Sequence, residues 1–137
     1  MATMEIIPIL NGPIPTDVWA HETHAPNGAL AKSAAPWEPW LQKIAEYQHL
    51  GDDWDGAGAK APSLELVESA VGLAHLLRDR EMLPPSRVAP GIDGTILFEW
   101  QFPDGTYAEI EVVRPLFAEV MVIEPGKPAR HWTLPTE

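Results

Sequence analysis

Three sets of residues have side chains and spacings that could do chemistry. Asp52, Asp53 and Asp55 surround Trp54 just ahead of Gly56, which is the composition of a calcium loop. An EF-hand needs its glycine at position 6, and that alignment puts Gly51 at position 1 and Pro62 at position 12. Neither offers a carboxylate, so the alignment fails. Aspartate commonly bonds its own backbone in turns, and these three read as turn and capping residues. The competing expectation is a small-molecule site, or the site of a hydrolase, built on Asp53, Trp54 and Asp55. His21 and His24 lie three apart in a stretch with no helical period and no third ligand, so no metal site is expected.

The second set is a series of glutamates, Glu99, Glu109, Glu111 and Glu119, within segments that alternate apolar and polar residues. The third is six tryptophans, of which Trp37, Trp40 and Trp100 sit at apolar positions of periodic segments and read as packing residues. No Gly-x-Ser-x-Gly elbow and no glycine-rich loop after a strand is present. The chain has no cysteine, which removes disulfides, thiolate zinc sites and cysteine nucleophiles. No cofactor is expected, and the balance is against an enzyme.

The elements that must position these residues are legible from periodicity. Trp37, Trp40, Leu41, Ile44 and Tyr47 fall on one stripe of a helix spanning about 36–50, with Gly51 as its stop. A turn-rich loop follows, in which Trp54 is expected to fold over the helix–sheet seam. Ser63 caps a second helix of about 64–82, closed by Pro84 and Pro85. Beyond Pro85 the period changes to two: Ile96, Phe98 and Trp100, then Ala108, Ile110 and Val112, then Ala118, Val120 and Val122. Short flanking strands are expected at 87–89 and 131–134.

Register follows from the turns. A two-residue turn at Asp104-Gly105 would set Trp100 opposite Glu109. A three-residue loop, Pro103-Asp104-Gly105, instead pairs Trp100 with Ala108 and Phe98 with Ile110. A similar loop at Arg114-Pro115-Leu116 pairs Val112 with Ala118. The fold class is therefore α+β: two helices packed on one face of a three- to five-stranded antiparallel meander, in two layers. On the other face the same register sets Glu99 opposite Glu109 and Glu111 opposite Glu119, with Leu97, Tyr107 and Met121 among them.

Composition limits the partners. The 137 residues carry 9 Lys plus Arg against 20 Asp plus Glu, a net charge of −11. That charge argues against nucleic acid and against an anionic membrane surface. Residues 1–35 read as an irregular arm, with an edge strand at about 5–10, and residues 36–137 as one domain. The first residues lack a secretory pattern and no apolar run is long enough to span a membrane, so a cytoplasmic location is expected.

Trp54-Asp55-Gly56-x-Gly58-Ala59, Pro62-Ser63, Asp93-Gly94-x-Ile96 and Glu99-Trp100 together form a pattern over about 50–113. It resembles a group of small bacterial proteins sharing W-D-G-x-G-A…P-S…D-G-x-I-x-x-E-W. The resemblance implies a bacterial or phage origin and carries no catalytic or binding residue with it. The expected function is a non-enzymatic interaction module, of the immunity or antitoxin kind, that masks a basic partner. Its contact residues would be Glu99, Glu109, Glu111, Glu119, Leu97, Tyr107 and Met121. Self-association through Leu97, Tyr107 and Met121 is the other expectation for this face.

Overall fold

A computed structural model describes residues 37–134. The arm expected over 1–35, with its edge strand, His21 and His24, lies outside the described residues. Two helices, α1 (Glu38–Glu46) and α2 (Leu64–Asp79), precede five strands: β1 (Arg87–Pro90), β2 (Ile96–Gln101), β3 (Tyr107–Arg114), β4 (Phe117–Ile123) and β5 (Arg130–Leu134). The strands form one antiparallel sheet in sequence order, a meander, as their period-two patterning requires.

The first helix is shorter than its sequence stripe. It tightens into a 3-10 turn at Tyr47–His49, and Leu50 is already extended. The reason is Tyr47, which is buried and whose hydroxyl donates to the Val88 carbonyl at 3.2 Å. In the loop that follows, the left-handed positions are Asp53 (φ 67), Gly56 (φ 75) and Gly58 (φ 90), not Gly51.

α2 begins as expected, with the Ser63 Oγ accepting from the Leu66 N–H at 3.1 Å. It ends at Asp79, three residues before the expected limit. Glu81 adopts φ 62, and the Met82 N–H returns to the Leu77 carbonyl at 3.0 Å. This is a Schellman ending with glutamate where glycine is usual.

The β2–β3 register is Trp100 with Ala108, Phe98 with Ile110 and Ile96 with Val112. The Phe102 N–H donates to the Thr106 carbonyl, and Gly105 takes φ 95, closing the three-residue loop. The β3–β4 turn differs from expectation. Arg114 pairs with Phe117 across a two-residue Pro115-Leu116 turn, and the extra residue is absorbed by a bulge between Val112 and Arg114. The pairing of Val112 with Ala118 survives because bulge and turn together have the same length as the three-residue loop.

The inner face of the sheet and the helices share one core, which includes Leu66, Leu73 and Leu77 of α2 and Ile96, Phe98, Trp100 and Ile110 of the sheet. Phe98 and Trp100 stack with centroids 6.2 Å apart. Trp37 and Trp100 each donate their indole N–H, at 2.9 Å, to adjacent carbonyls, those of Met82 and Leu83. Two buried indoles thus fix the link between α2 and the sheet without leaving a donor unsatisfied.

Candidate functional site: the outer sheet face

Odd-numbered residues of β2, β3 and β4 point away from the helices. The register places them in rows across the sheet. One row runs Arg87, Glu99, Glu109, Met121, His131; the next runs Ala89, Leu97, Glu111, Glu119, Thr133. Tyr107 lies between Gln101 and Ile123. The seven contact residues expected from sequence therefore share one surface. Leu97, Glu99, Tyr107, Glu109, Glu111 and Met121 are half-buried by one another, whereas Glu119 is exposed.

Like charges directly opposite each other destabilise a sheet by a few tenths of a kcal/mol per pair. The protein relieves much of this repulsion internally, through Tyr107, already expected on this face, and through Arg87 and Thr95, which the sequence pattern did not single out. Arg87 on β1 reaches Glu99 at 3.1 Å. The Tyr107 hydroxyl donates to Glu109 Oε1 at 2.8 Å, and Thr95 Oγ1 donates to Glu111 Oε2 at 2.8 Å. Burial, reinforced by the Glu109 hydrogen bond and the charges of Glu109 and Glu99, holds the Tyr107 phenol well above its ordinary value. Glu119 has no hydrogen bond or ion pair among the described residues. The face carries four carboxylates against two guanidinium groups, Arg87 on Glu99 and Arg114 stacked 4.0 Å over the Phe117 ring.

Chemically the face can order cationic groups. Three carboxylates are held by one hydrogen bond each, so a cation meets them with part of their rotamer entropy already lost. The face is an open sheet surface rather than an enclosed pocket. Among the described residues no cluster of three or more His, Asp or Glu is placed to hold a metal ion. No described helix is long and apolar enough to cross a membrane.

The Asp53-Trp54-Asp55 loop is occupied with its own folding. Asp52 Oδ1 accepts from Ala61, Asp53 Oδ1 from Gly58, and Asp55 Oδ1 from both Ala57 and Ala59, at 2.7–3.0 Å. The N–H of Ala57, and then that of Ala59, lowers the Asp55 pKa below its usual range. Trp54 does not plug the helix–sheet seam. It is half-buried against its own loop, its indole donating to the Lys60 carbonyl at 3.0 Å. The buried residues of the loop are Ala59, 3% exposed, and Pro62 at its end.

This loop does touch the second half of the sequence pattern. Lys60 and Asp93 form an isolated parallel backbone bridge, in which the Lys60 N–H donates to the Ile92 carbonyl at 2.8 Å. Gly94 (φ 80) passes so close that a Cβ would sit 3.3 Å from the Ala61 carbonyl oxygen. The W-D-G-x-G-A and D-G-x-I segments are thus one folding unit, which accounts for these residues structurally and leaves the acidic face as the stronger candidate site. Comparison with family models, with curated proteins and with solved structures finds no match.

Proposed function

We propose that this protein is an interaction module that masks a basic partner through its outer sheet face, in the manner of immunity or antitoxin proteins. The observation that carries this reading is the single surface formed by Glu99, Glu109, Glu111 and Glu119 around Leu97, Tyr107 and Met121. Apolar and aromatic groups supply burial, and carboxylates supply orientation and steering. The net charge of −11 favours a cationic partner over a second copy of the same chain, whose like charges would repel it. The test is charge reversal. Glu109→Lys with Glu111→Lys abolishes retention of the partner and leaves the fold intact by circular dichroism. Retention equal to that of the unaltered protein overturns the reading, and a dimer in sedimentation that Met121→Glu dissolves replaces it with self-association.

A further inference from the structure

The β3–β4 turn leans against the exposed side of α2. There Glu65, Glu68, Ser69 and Gly72 of α2 and Pro115 and Leu116 of the turn enclose a hollow of about 290 Å³. Glu68 is shared with a second hollow of about 210 Å³, in which Leu64 and Val71 face Ala45 and Gln48. The two hollows adjoin along α2 with Glu68 lining both, on the layer opposite the acidic sheet face, and are together called the groove below.

Two residues of this groove are each the less stable choice for their backbone position. Gly72 is exposed in the interior of α2, where glycine loses more chain entropy than alanine. A Cβ there would meet nothing within 4 Å, so packing among the described residues does not require its absence. Leu116 holds φ 62 at a turn where glycine would be unstrained, and its side chain is 48% exposed. Its N–H is fixed by the Ser69 Oγ at 3.0 Å, so the turn is held against α2 in this strained form. Glycine where a helix favours alanine, and leucine where a turn favours glycine, together leave a groove floor open to close approach and a hydrophobic wall beside it.

The groove's chemistry selects its occupant. Leu64, 52% exposed, and Leu116 offer apolar seats. Glu65 and Glu68 are the charged lining residues, and no Lys or Arg lines either hollow. We propose that the groove docks a cationic amphipathic segment of a partner protein. Its apolar side chains seat on Leu64 and Leu116 and its Lys or Arg side chains on Glu65 and Glu68, with the backbone crossing Gly72. This contact is separate from the sheet face and stands without it.

The test titrates the isotopically labelled full chain with a synthetic amphipathic helix of Leu and Lys, in near-physiological salt, followed by amide chemical shifts. Shifts concentrate on Ser69, Gly72 and Leu116. Leu116→Gly weakens binding about tenfold while the melting temperature stays level or rises, so loss of fold cannot explain the effect. Glu68→Lys weakens it comparably, whereas Glu109→Gln with Glu111→Gln changes it less than about twofold. Shifts confined to Leu97, Glu109 and Met121, unchanged binding by Leu116→Gly, or no shifts at all would overturn the proposal.

Discussion

Glu99 and Glu109 stand directly opposite each other across β2 and β3, one held by Arg87 and the other by the Tyr107 hydroxyl. A like-charge pair that would strain a bare sheet is converted into two fixed carboxylates, each clamped from a different side. The arrangement keeps the charge on the face and reduces its cost.

The clamp has a titration signature. Burial and Glu109 favour the protonated phenol of Tyr107, so its folded-state pKa lies above the ordinary value of 10. Stability from this group is fully present below pH 10 and is lost as pH rises through the folded-state value. In Glu109→Gln the phenol should ionise closer to pH 10, followed by ultraviolet titration of tyrosinate with Tyr107→Phe as the blank. An unchanged titration would show that Glu109 does not act on the phenol.

Acid acts on the turns. Backbone N–H donors depress the pKa of Asp55 and of Asp104, the latter through Thr106. Their contribution is present above the ordinary aspartate value near 3.8 and disappears as pH falls through the lower folded-state values. Thermal melts of Asp55→Ala should therefore differ from those of the unaltered protein at neutral pH and converge with them in strong acid.

His75 adds a separate window. Burial, and then the charge of Arg78, lowers its pKa below 6.5, so the folded state favours the neutral ring. Stability is full above pH 6.5 and declines as pH falls below it toward the folded-state value. A His75→Gln variant should show a flatter melting profile across that range.

Two backbone sites predict stability in opposite directions. Glu81 at φ 62 closes α2 in a conformation suited to glycine, so Glu81→Gly should stabilise by about 0.5–1 kcal/mol. Gly91 has the reverse problem. A Cβ there would collide with Thr95 Oγ1, the donor to Glu111, so Gly91→Ala should cost about 1–3 kcal/mol. Denaturant midpoints measure both.

The register of the central strands was legible from sequence because β2, β3 and β4 alternate inward and outward residues and Pro103-Asp104-Gly105 allows one economical loop. The early end of α1 was not, because it depends on Tyr47 reaching Val88, 41 positions away. The turn roles of Asp52, Asp53 and Asp55 were legible, whereas the expected fold of Trp54 over the helix–sheet seam fails because its indole donates to the Lys60 carbonyl of its own loop. The bulge near Val113 follows from Leu116 taking a left-handed conformation that leucine composition does not announce. The groove on α2 arises from a contact between Ser69 and Leu116, 47 residues apart. Gly72 inside an otherwise regular helix was its one sequence signal.

The most direct test of the central claim is partner retention by the outer face, read together with amide exchange on the resulting complex. The unaltered protein should retain a basic protein from its source cells, and binding should slow exchange in β2 and β3 at Leu97–Gln101 and Tyr107–Arg114. Glu109→Lys with Glu111→Lys should lose that protein while melting normally. Equal retention by the charge-reversed protein, or protection confined to other elements, would contradict the account.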